Sequence, residues 1–331
     1  MAVVSDLAPV GAADRQAILD GPRTSLVHRN WMSSLQCVNN VQVGGTASRD
    51  TLPASLSVVA WNVERCLFPT DTAVRIAPFS PDIVLLSEVD CGMARTGQRH
   101  TTADVAAELG MAYAFGVEFF ELGLGGVTER DRCTDDFNAD GWHGNAILSA
   151  APMLRVEMLR LDDHGHWFVL GRDDVDPDQP RIGGRMALMA EIATENGPVC
   201  AVSTHLESNA KPDHRAEQFD LLMDRIDAFA PDMPVIIGGD LNTGNHVPPD
   251  FSWTHETLFK RAEARGYDWS LSPEGMTTQP SLITPHPARQ MRLDWFATRG
   301  MMGQASEMIE ANDPNGCPLS DHHAIWCRVQ I

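Results

Sequence analysis

The chain has 331 residues, 43% of them hydrophobic, with 45 Asp plus Glu against 25 Lys plus Arg and a formal net charge of −20. That length and apolar content support a large core in one or two domains, and the charge disfavours extended nucleic acid, which is usually gripped by a basic stripe. No stretch approaches the roughly 18 apolar residues of a membrane-spanning helix, and the first residues, with Asp6, Asp14 and Asp20, lack the basic start of a signal peptide, so the expected compartment is the cytoplasm.

In chain order, residues 1–54 begin with a short helix expected around Asp14 to Leu19 and continue into the polar stretch NNVQVGGTASRDTLP. Leu26, Val27, Trp31, Met32 and Leu35 would be wasted on solvent, so this stretch is expected as an N-terminal extension packed on a main domain of residues 55–331. Apolar runs then recur as strands: LSVVAW (56–61), DIVLLS (82–87), GNAILS (144–149), RMALMAEIA (185–193), VCAVST (199–204), VIIGG (235–239), RLDWFAT (292–298) and HHAIWCRVQI (322–331). TTADVAAELG reads as a short helix closed by Gly110. The stretch from Pro212 reads as a longer one, with Ala216, Phe219, Met223, Ile226 and Ala230 at spacings of three and four. Strands alternating with helices predict an α/β or α+β class. The seven cysteines include no CxxC pair, which argues against a disulfide framework or a cysteine-zinc cluster.

The strands end in polar residues for which a core has no use. They are Asn62 and Glu64 in AWNVE, Glu88 in LLSEVD, His205 and Glu207 in STHLES, Asp240 and Asn242 in GGDLNT, Asp294 in RLDW, and Asp321 with His322 in LSDHHAI. Any one alone reads as a turn former, a helix cap or a satisfied histidine. Together they supply a hard-metal phosphoryl site: oxygen ligands for Mg²⁺ or Mn²⁺, amides for phosphate oxygens, and imidazoles that move protons near neutral pH. Gly238 and Gly239, without side chains, would let a phosphate or its water come close to the strand end.

In their order and spacing, WNVE, the strand ending in Glu88, STHLES, GGDLNT, RLDW and SDHH resemble the endonuclease/exonuclease/phosphatase superfamily over roughly residues 56–331. Its members include pancreatic-type deoxyribonucleases, abasic-site endonucleases, neutral sphingomyelinases and inositol polyphosphate 5-phosphatases. The resemblance implies a four-layer α/β/β/α sandwich, two facing mixed β-sheets flanked by helices, with the site at one end. It implies that Glu88 is the principal ligand of one or two Mg²⁺ or Mn²⁺ ions, with Asn62 beside it and Asp321 completing the shell. Asp240 would orient or deprotonate the attacking water, and Asn242 would hold a nonbridging phosphate oxygen. His322 would contact the phosphate or act as base, with Asp294 fixing its tautomer, and His205 would stabilise the phosphate or protonate the leaving oxygen. STHLES argues against the abasic-site branch, which has a tyrosine-containing segment there. Ser87 stands where many relatives have Gln, and His323 where Pro or a small residue is common; neither change removes a functional group.

Substrate choice falls to loops over the site, chiefly the segment from Asp90 to Trp142, which holds CGMARTGQRHTTADVA, the aromatic YAFGVEFFELGLGG and the acidic TERDRCTDDFNADGWHGN. Arg95, Arg99, His100 and Arg185 are candidates for holding a substrate anion, with solvated loop charge as the equal alternative for each. His143 and Asn145 are candidates for a supporting or phosphate contact. DDHGHWF (162–168) could chelate a metal, although a hairpin turn at Gly165 explains it more simply. Three functions remain. The first is a metal-dependent phosphodiesterase on a small or lipid-derived phosphodiester. The second is a nuclease, which the charge counts against. The third is a noncatalytic phosphate-binding module, which would have lost one of Glu88, His205, Asp240, Asn242 or His322, and all five are present.

Overall fold

In a computed structural model of the chain, residues 1–171 and 179–331 are described. Its strands are β1 (Val3–Val4), β2 (Val41–Gly45), β3 (Ser55–Arg65), β4 (Ile83–Cys91), β5 (Ala112–Glu121), β6 (Trp142–Ser149), β7 (Met153–Arg160), β8 (Arg181–Gly183), β9 (Met186–Thr194), β10 (Gly197–His205), β11 (Val235–Asp240), β12 (Asp294–Arg299), β13 (Met302–Ile309) and β14 (Ala324–Gln330). The α-helices are α1 (Ala12–Asp20), α2 (Ser25–Ser34), α3 (Pro69–Ile76), α4 (Thr101–Leu109), α5 (Val127–Arg130), α6 (Pro212–Phe229) and α7 (Leu258–Glu263).

Among the described residues the strands form two mixed sheets. One has nine strands in the order β1-β2-β5-β6-β4-β3-β14-β13, with β8 added to β5; the other has five, β12-β11-β10-β9-β7. Each central strand is covered on both faces, which is why β3 and β11 read as continuous apolar runs rather than as alternating ones. Phe219, Leu222, Met223 and Ile226 of α6 pack with Cys200, Val202, Val235 and Ile237 of the five-stranded sheet. Ala73 and Ile76 of α3 and Val105 and Ala106 of α4 join the main core of the nine-stranded sheet. Helices thus flank the facing sheets, as the four-layer sandwich requires. Leu7, Val10, Ile18, Met32 and Leu35 belong to that same main core, and β2 pairs with both β1 and β5.

Two glycines explain how closely the layers meet and how closely β10 and β11 approach. A Cβ on Gly238 would lie 2.8 Å from Ala60 Cβ and 2.8 Å from Leu85 Cδ1 in the opposite sheet, and one on Gly239, at φ 155°, would collide with Thr204 O. This corrects the expectation that these glycines clear a path for phosphate: their missing side chains admit the neighbouring sheet and strand. Gly238→Ala is expected to destabilise the fold by roughly 1–3 kcal/mol through overpacking. Urea unfolding of the variant measures this, and an unchanged midpoint would contradict the packing.

The structure also revises the segment between Asp90 and Trp142. YAFGVEFFE forms β5, a buried inner strand whose Phe115 and Phe120 are core residues, rather than a loop over the site. TTADVAAEL is helical as α4, and Gly110 ends it at φ 63° with its N–H bonded to Ala106 O and Ala107 O. At the opposite edge, β13 has six consecutive exposed residues, so no apolar pattern announces it.

Candidate active site

The register of the five-stranded sheet places three expected site residues in a row. His205, the last residue of β10, pairs with Asp240, the last of β11, and Asp240 pairs with Asp294, the first of β12. From the facing sheet, Asn62 pairs with Ser87, after which the β3/β4 ladder slips. The slip coincides with left-handed backbone at Glu64 (φ 40°), Arg65 (φ 75°), Cys66 (φ 58°) and Glu88 (φ 60°). Bulges of this kind break strand alternation and re-aim side chains, and strained backbone of this kind gathers at functional sites.

Side chains then join the two sheets. Asn62 Nδ2 donates to Glu88 Oε1 at 3.2 Å and to Asp240 Oδ2 at 3.1 Å. His322, just ahead of β14, is fixed through its backbone: its N–H donates to Ser320 Oγ at 3.0 Å and its carbonyl accepts from Trp61 Nε1 at 2.8 Å. Its Nδ1 donates to Asp294 Oδ2 at 2.8 Å, which turns Nε2 toward Asp240 Oδ2 at 3.7 Å and Asp321 Oδ1 at 3.9 Å. His205 Nε2 approaches the same Asp240 oxygen at 3.5 Å and Glu88 Oε1 at 4.0 Å. Asn242, at φ 49°, donates from Nδ2 to Leu206 O at 3.0 Å, while its N–H donates to Asp240 Oδ1 at 2.8 Å. Glu88, Arg185, His205, Asp240, Asn242 and His322 line a cleft of about 240 Å³, with Asp321 beside them.

The endonuclease/exonuclease/phosphatase family pattern matches residues 59–322, a span that contains every one of these groups. The chain belongs to that family. No curated protein matches it in sequence. Among solved structures it is similar to an endonuclease/exonuclease/phosphatase from Beutenbergia cavernae, with a TM-score of 0.57 at 16% identity over 84% of this chain and 72% of that one. It is also similar to the human Nocturnin catalytic domain with bound sulfate, with a TM-score of 0.55 at 15% identity over 88% of this chain and 96% of that one. A humanized D. rerio TDP2 gives 0.51 at 16% identity over 84% and 100%. At these identities the likeness is one of fold.

Members of the family generally hydrolyse phosphoester bonds with a divalent metal, and the residues of this cleft fit such an ion. Burial and the charge of Asp321 push the Glu64 carboxyl up to about 7, and burial raises Asp321 as well, the mark of carboxylates crowded with too little positive charge. Glu88 pairs with Arg65 through Nη1, but Arg65 is shared with Glu129 at 2.8 Å, and the next cationic group, His205 Nε2, stands off at 4.0 Å. Glu88 and Asp321, which line the cleft, are the hard oxygen donors that Mg²⁺ or Mn²⁺ prefers, and Glu64 adds a third carboxylate whose charge acts on Asp321. Asp240, Asp294 and His322 also bring one donor atom each within 4.8 Å of one another. Burial alone would lower the His322 pKa, but Asp294, Asp321 and Asp240 together hold it well above the ordinary value.

Of the six residues expected to contact substrate, Arg185 alone lines the cleft. Its Nη1 lies 2.8 and 2.9 Å from the two ring nitrogens of His205 and 2.7 Å from Glu118 Oε1. The substrate-contact expectation does not carry over to Arg95, Arg99 or His100. Arg95 is sunk among Asp90 (2.7 Å), Glu121 (2.9 Å) and Glu129 (2.9 Å), and Arg99 pairs with Asp104 at 2.7 Å. His100 caps α4 by accepting from Ala103 N at 3.4 Å, and burial pulls its pKa down to about 4. His143 Nδ1 bonds Asp90 Oδ1 at 2.8 Å, and Asn145 Nδ2 donates to Met186 O at 3.2 Å, both in the interior. DDHGHWF contains a turn at Gly165, which has φ 68°.

Sequence reasoning missed Glu118, whose Oε2 accepts from His205 Nδ1 at 3.2 Å. It also missed the Glu64 cradle, in which Ser281 Oγ and Thr284 Oγ1 donate to Oε1 at 2.7 and 2.9 Å. A lone carboxylate inside the aromatic run VEFFE was the available signal for Glu118, because a buried charge needs a partner.

These shifts set the pH dependence of stability. Glu64, at about 7, and Asp321 have raised pKa values, so they hold protons that the unfolded chain has lost; their contribution is present at acid pH and is lost as pH rises through those values. Despite burial, Glu118 is held low by His205 and Arg185, Glu129 by Arg65 and Arg95, and Glu121, at about 2, by Arg181 and Arg95. Their contribution is present above the unfolded value of about 4.3 and is lost as pH falls. Burial lowers the pKa values of His28, His100, His143 and His323, so their contribution is present above about 6.5 and is lost as pH falls. Metal-free protein is therefore expected to melt highest near pH 6, and divalent metal to raise the midpoint more at pH 8 than at pH 5. A metal-free midpoint still climbing from pH 7 to pH 8 would contradict these assignments.

Proposed function

We propose that the protein is a divalent-metal-dependent phosphodiesterase acting on a small or lipid-derived phosphodiester by in-line attack of water. The observation that carries this reading is the convergence on one oxygen: Asp240 Oδ2 meets Asn62 Nδ2 at 3.1 Å, His205 Nε2 at 3.5 Å and His322 Nε2 at 3.7 Å. A carboxylate so placed can orient a water and take its proton as the water oxygen bonds phosphorus. His322, kept protonated by Asp294, faces the phosphate as a hydrogen-bond donor, and Asn242 offers its amide to a nonbridging oxygen. His205, anchored by Glu118, stands to pass a proton to the leaving oxygen as its bond to phosphorus breaks. A divalent ion held by Glu88 with Glu64, Asp321 and Asn62 would supply positive charge for the phosphoryl oxygens and the leaving group.

The cleft of about 240 Å³ and the net charge of −20 favour a small substrate. One observation supports the nuclease reading. A neighbouring pocket of about 620 Å³ shares Arg289 with the cleft and is lined by Phe251, Trp253 and Met276, with the Arg289 guanidinium 3.5 Å from the Phe251 ring centroid. Such a surface suits a stacked base. Comparing kcat/KM on bis-p-nitrophenyl phosphate, p-nitrophenyl phosphate, sphingomyelin and plasmid DNA separates these readings. Diesters are expected to outrun the monoester, and plasmid nicking at the lowest enzyme concentrations would favour the nuclease instead. Phosphate-ligand binding without turnover of any substrate would favour the noncatalytic module.

A further inference from the structure

Outside the catalytic cleft, three histidines and a buried carboxylate gather between the turn after β7 and the first turn of α6. The His214 ring centroid lies 6.0 Å from that of His166 and 6.2 Å from that of His164. His214 Nε2 stands 3.8 Å from Asp162 Oδ2. The Asp162 side chain is only 3% exposed, yet its Oδ1 has no hydrogen-bond partner among the described residues. Its other oxygen accepts from Gln218 Nε2 at 3.0 Å, one helical turn beyond His214.

From this arrangement we propose that His164, His166, His214 and Asp162 form a second metal site, for Zn²⁺ or a similar borderline transition ion, independent of the catalytic reading. Tetrahedral zinc with bonds of about 2.0–2.1 Å puts two donor atoms about 3.3 Å apart and two bound imidazole centroids about 5 Å apart. The observed 3.8 Å and 6.0 Å separations are therefore open by about 0.5 Å and about 1 Å. A small closure of the 162–166 turn, which carries Asp162 and His166, toward His214 of α6 would supply the difference, and the exposed His164 is free to rotate toward the same point. A simple ion pair would need one imidazole; three around one carboxylate repel each other when protonated, whereas neutral imidazoles on a divalent ion do not. The Gln218 bond that orients Asp162 is the kind of outer support that fixes a metal-binding carboxylate. Imidazole donors suit zinc, in contrast with the oxygen set around Glu88. Bound zinc would staple the 162–166 turn to the start of α6.

Chelator-treated protein, held in excess Mg²⁺, would be titrated with Zn²⁺ against a chromophoric chelator. Wild type and Glu88→Gln are expected to bind one tight equivalent, and His214→Ala to bind it at least about 100-fold more weakly. The Co²⁺-loaded wild type is expected to show the visible absorption of a tetrahedral ion, and Zn²⁺ to raise the melting midpoint of wild type but not of His214→Ala. His164→Ala, at an exposed position, serves if His214→Ala fails to fold. Wild-type affinity in both histidine variants, loss of the tight equivalent in Glu88→Gln, or no tight zinc in wild type would each overturn the proposal.

Discussion

His322→Ala is expected to lower kcat on a phosphodiester by about 10³-fold while KM changes little, because the donor it removes meets developing phosphoryl charge rather than ground-state substrate. His322 is 5% exposed, tied through Nδ1 to Asp294 and through its backbone to Trp61 and Ser320, so its position is set before substrate arrives. Asp294→Asn should retain the shape but lose the charge that keeps His322 protonated. Its kcat is expected to fall by about 10²-fold or more, with the acid-favouring limb of the pH profile moved to lower pH. Steady-state kinetics across pH checks both variants, and an unchanged profile in Asp294→Asn would separate that carboxylate from His322.

Glu88→Gln is the second large expected effect. The substitution keeps the size of the side chain and its contact with Asn62 but removes the charge that the proposed cation requires, so kcat/KM is expected to drop by about 10³-fold and the Mn²⁺ concentration for half-activation to rise by at least about tenfold. Arg65 would keep Glu129 as a partner at 2.8 Å, so the fold should survive the change. Mn²⁺ binding by calorimetry, beside activity measured against Mn²⁺ concentration, reads the two effects separately. Wild-type metal binding in Glu88→Gln would remove Glu88 from the ligand set.

The two-sheet sandwich was legible because its inner strands are buried on both faces and so appear as apolar runs with polar ends. His205, Asp240 and Asp294 could be read for the same reason: each is the first or last residue of a buried strand, and the ladders carry them to one end of the sheet. The support beneath them was not legible. Glu118 reaches His205 across 87 residues, and Ser281 reaches Glu64 across 217, and no local pattern encodes such distances. Arg95 misled for a related reason. An arginine in a Gly-rich stretch resembles a solvent-facing anion binder until the fold surrounds it with Asp90, Glu121 and Glu129. Arg185 has comparable acidic partners, but its place immediately before β9 sets it beside His205, where it lines the cleft.

Gly238 and Gly239 show how one residue type can serve either of two needs. In sequence they stand directly before Asp240 and suggest room for phosphate. In the fold Gly238 marks where the two sheets press together and Gly239 where β10 and β11 do, and the contact between the sheets brings Asn62 of one to Asp240 of the other. The site therefore depends on a packing distance as much as on its own polar residues.

Hydrolysis of bis-p-nitrophenyl phosphate by chelator-treated protein, before and after Mg²⁺ or Mn²⁺ is restored, tests the central claim most directly when wild type and His322→Ala are run together. Activity should vanish on chelation, return with metal in wild type, and stay about 10³-fold lower in the variant. Turnover that survives chelation, or equal turnover by wild type and His322→Ala, would contradict a metal-dependent phosphodiesterase built on this cleft.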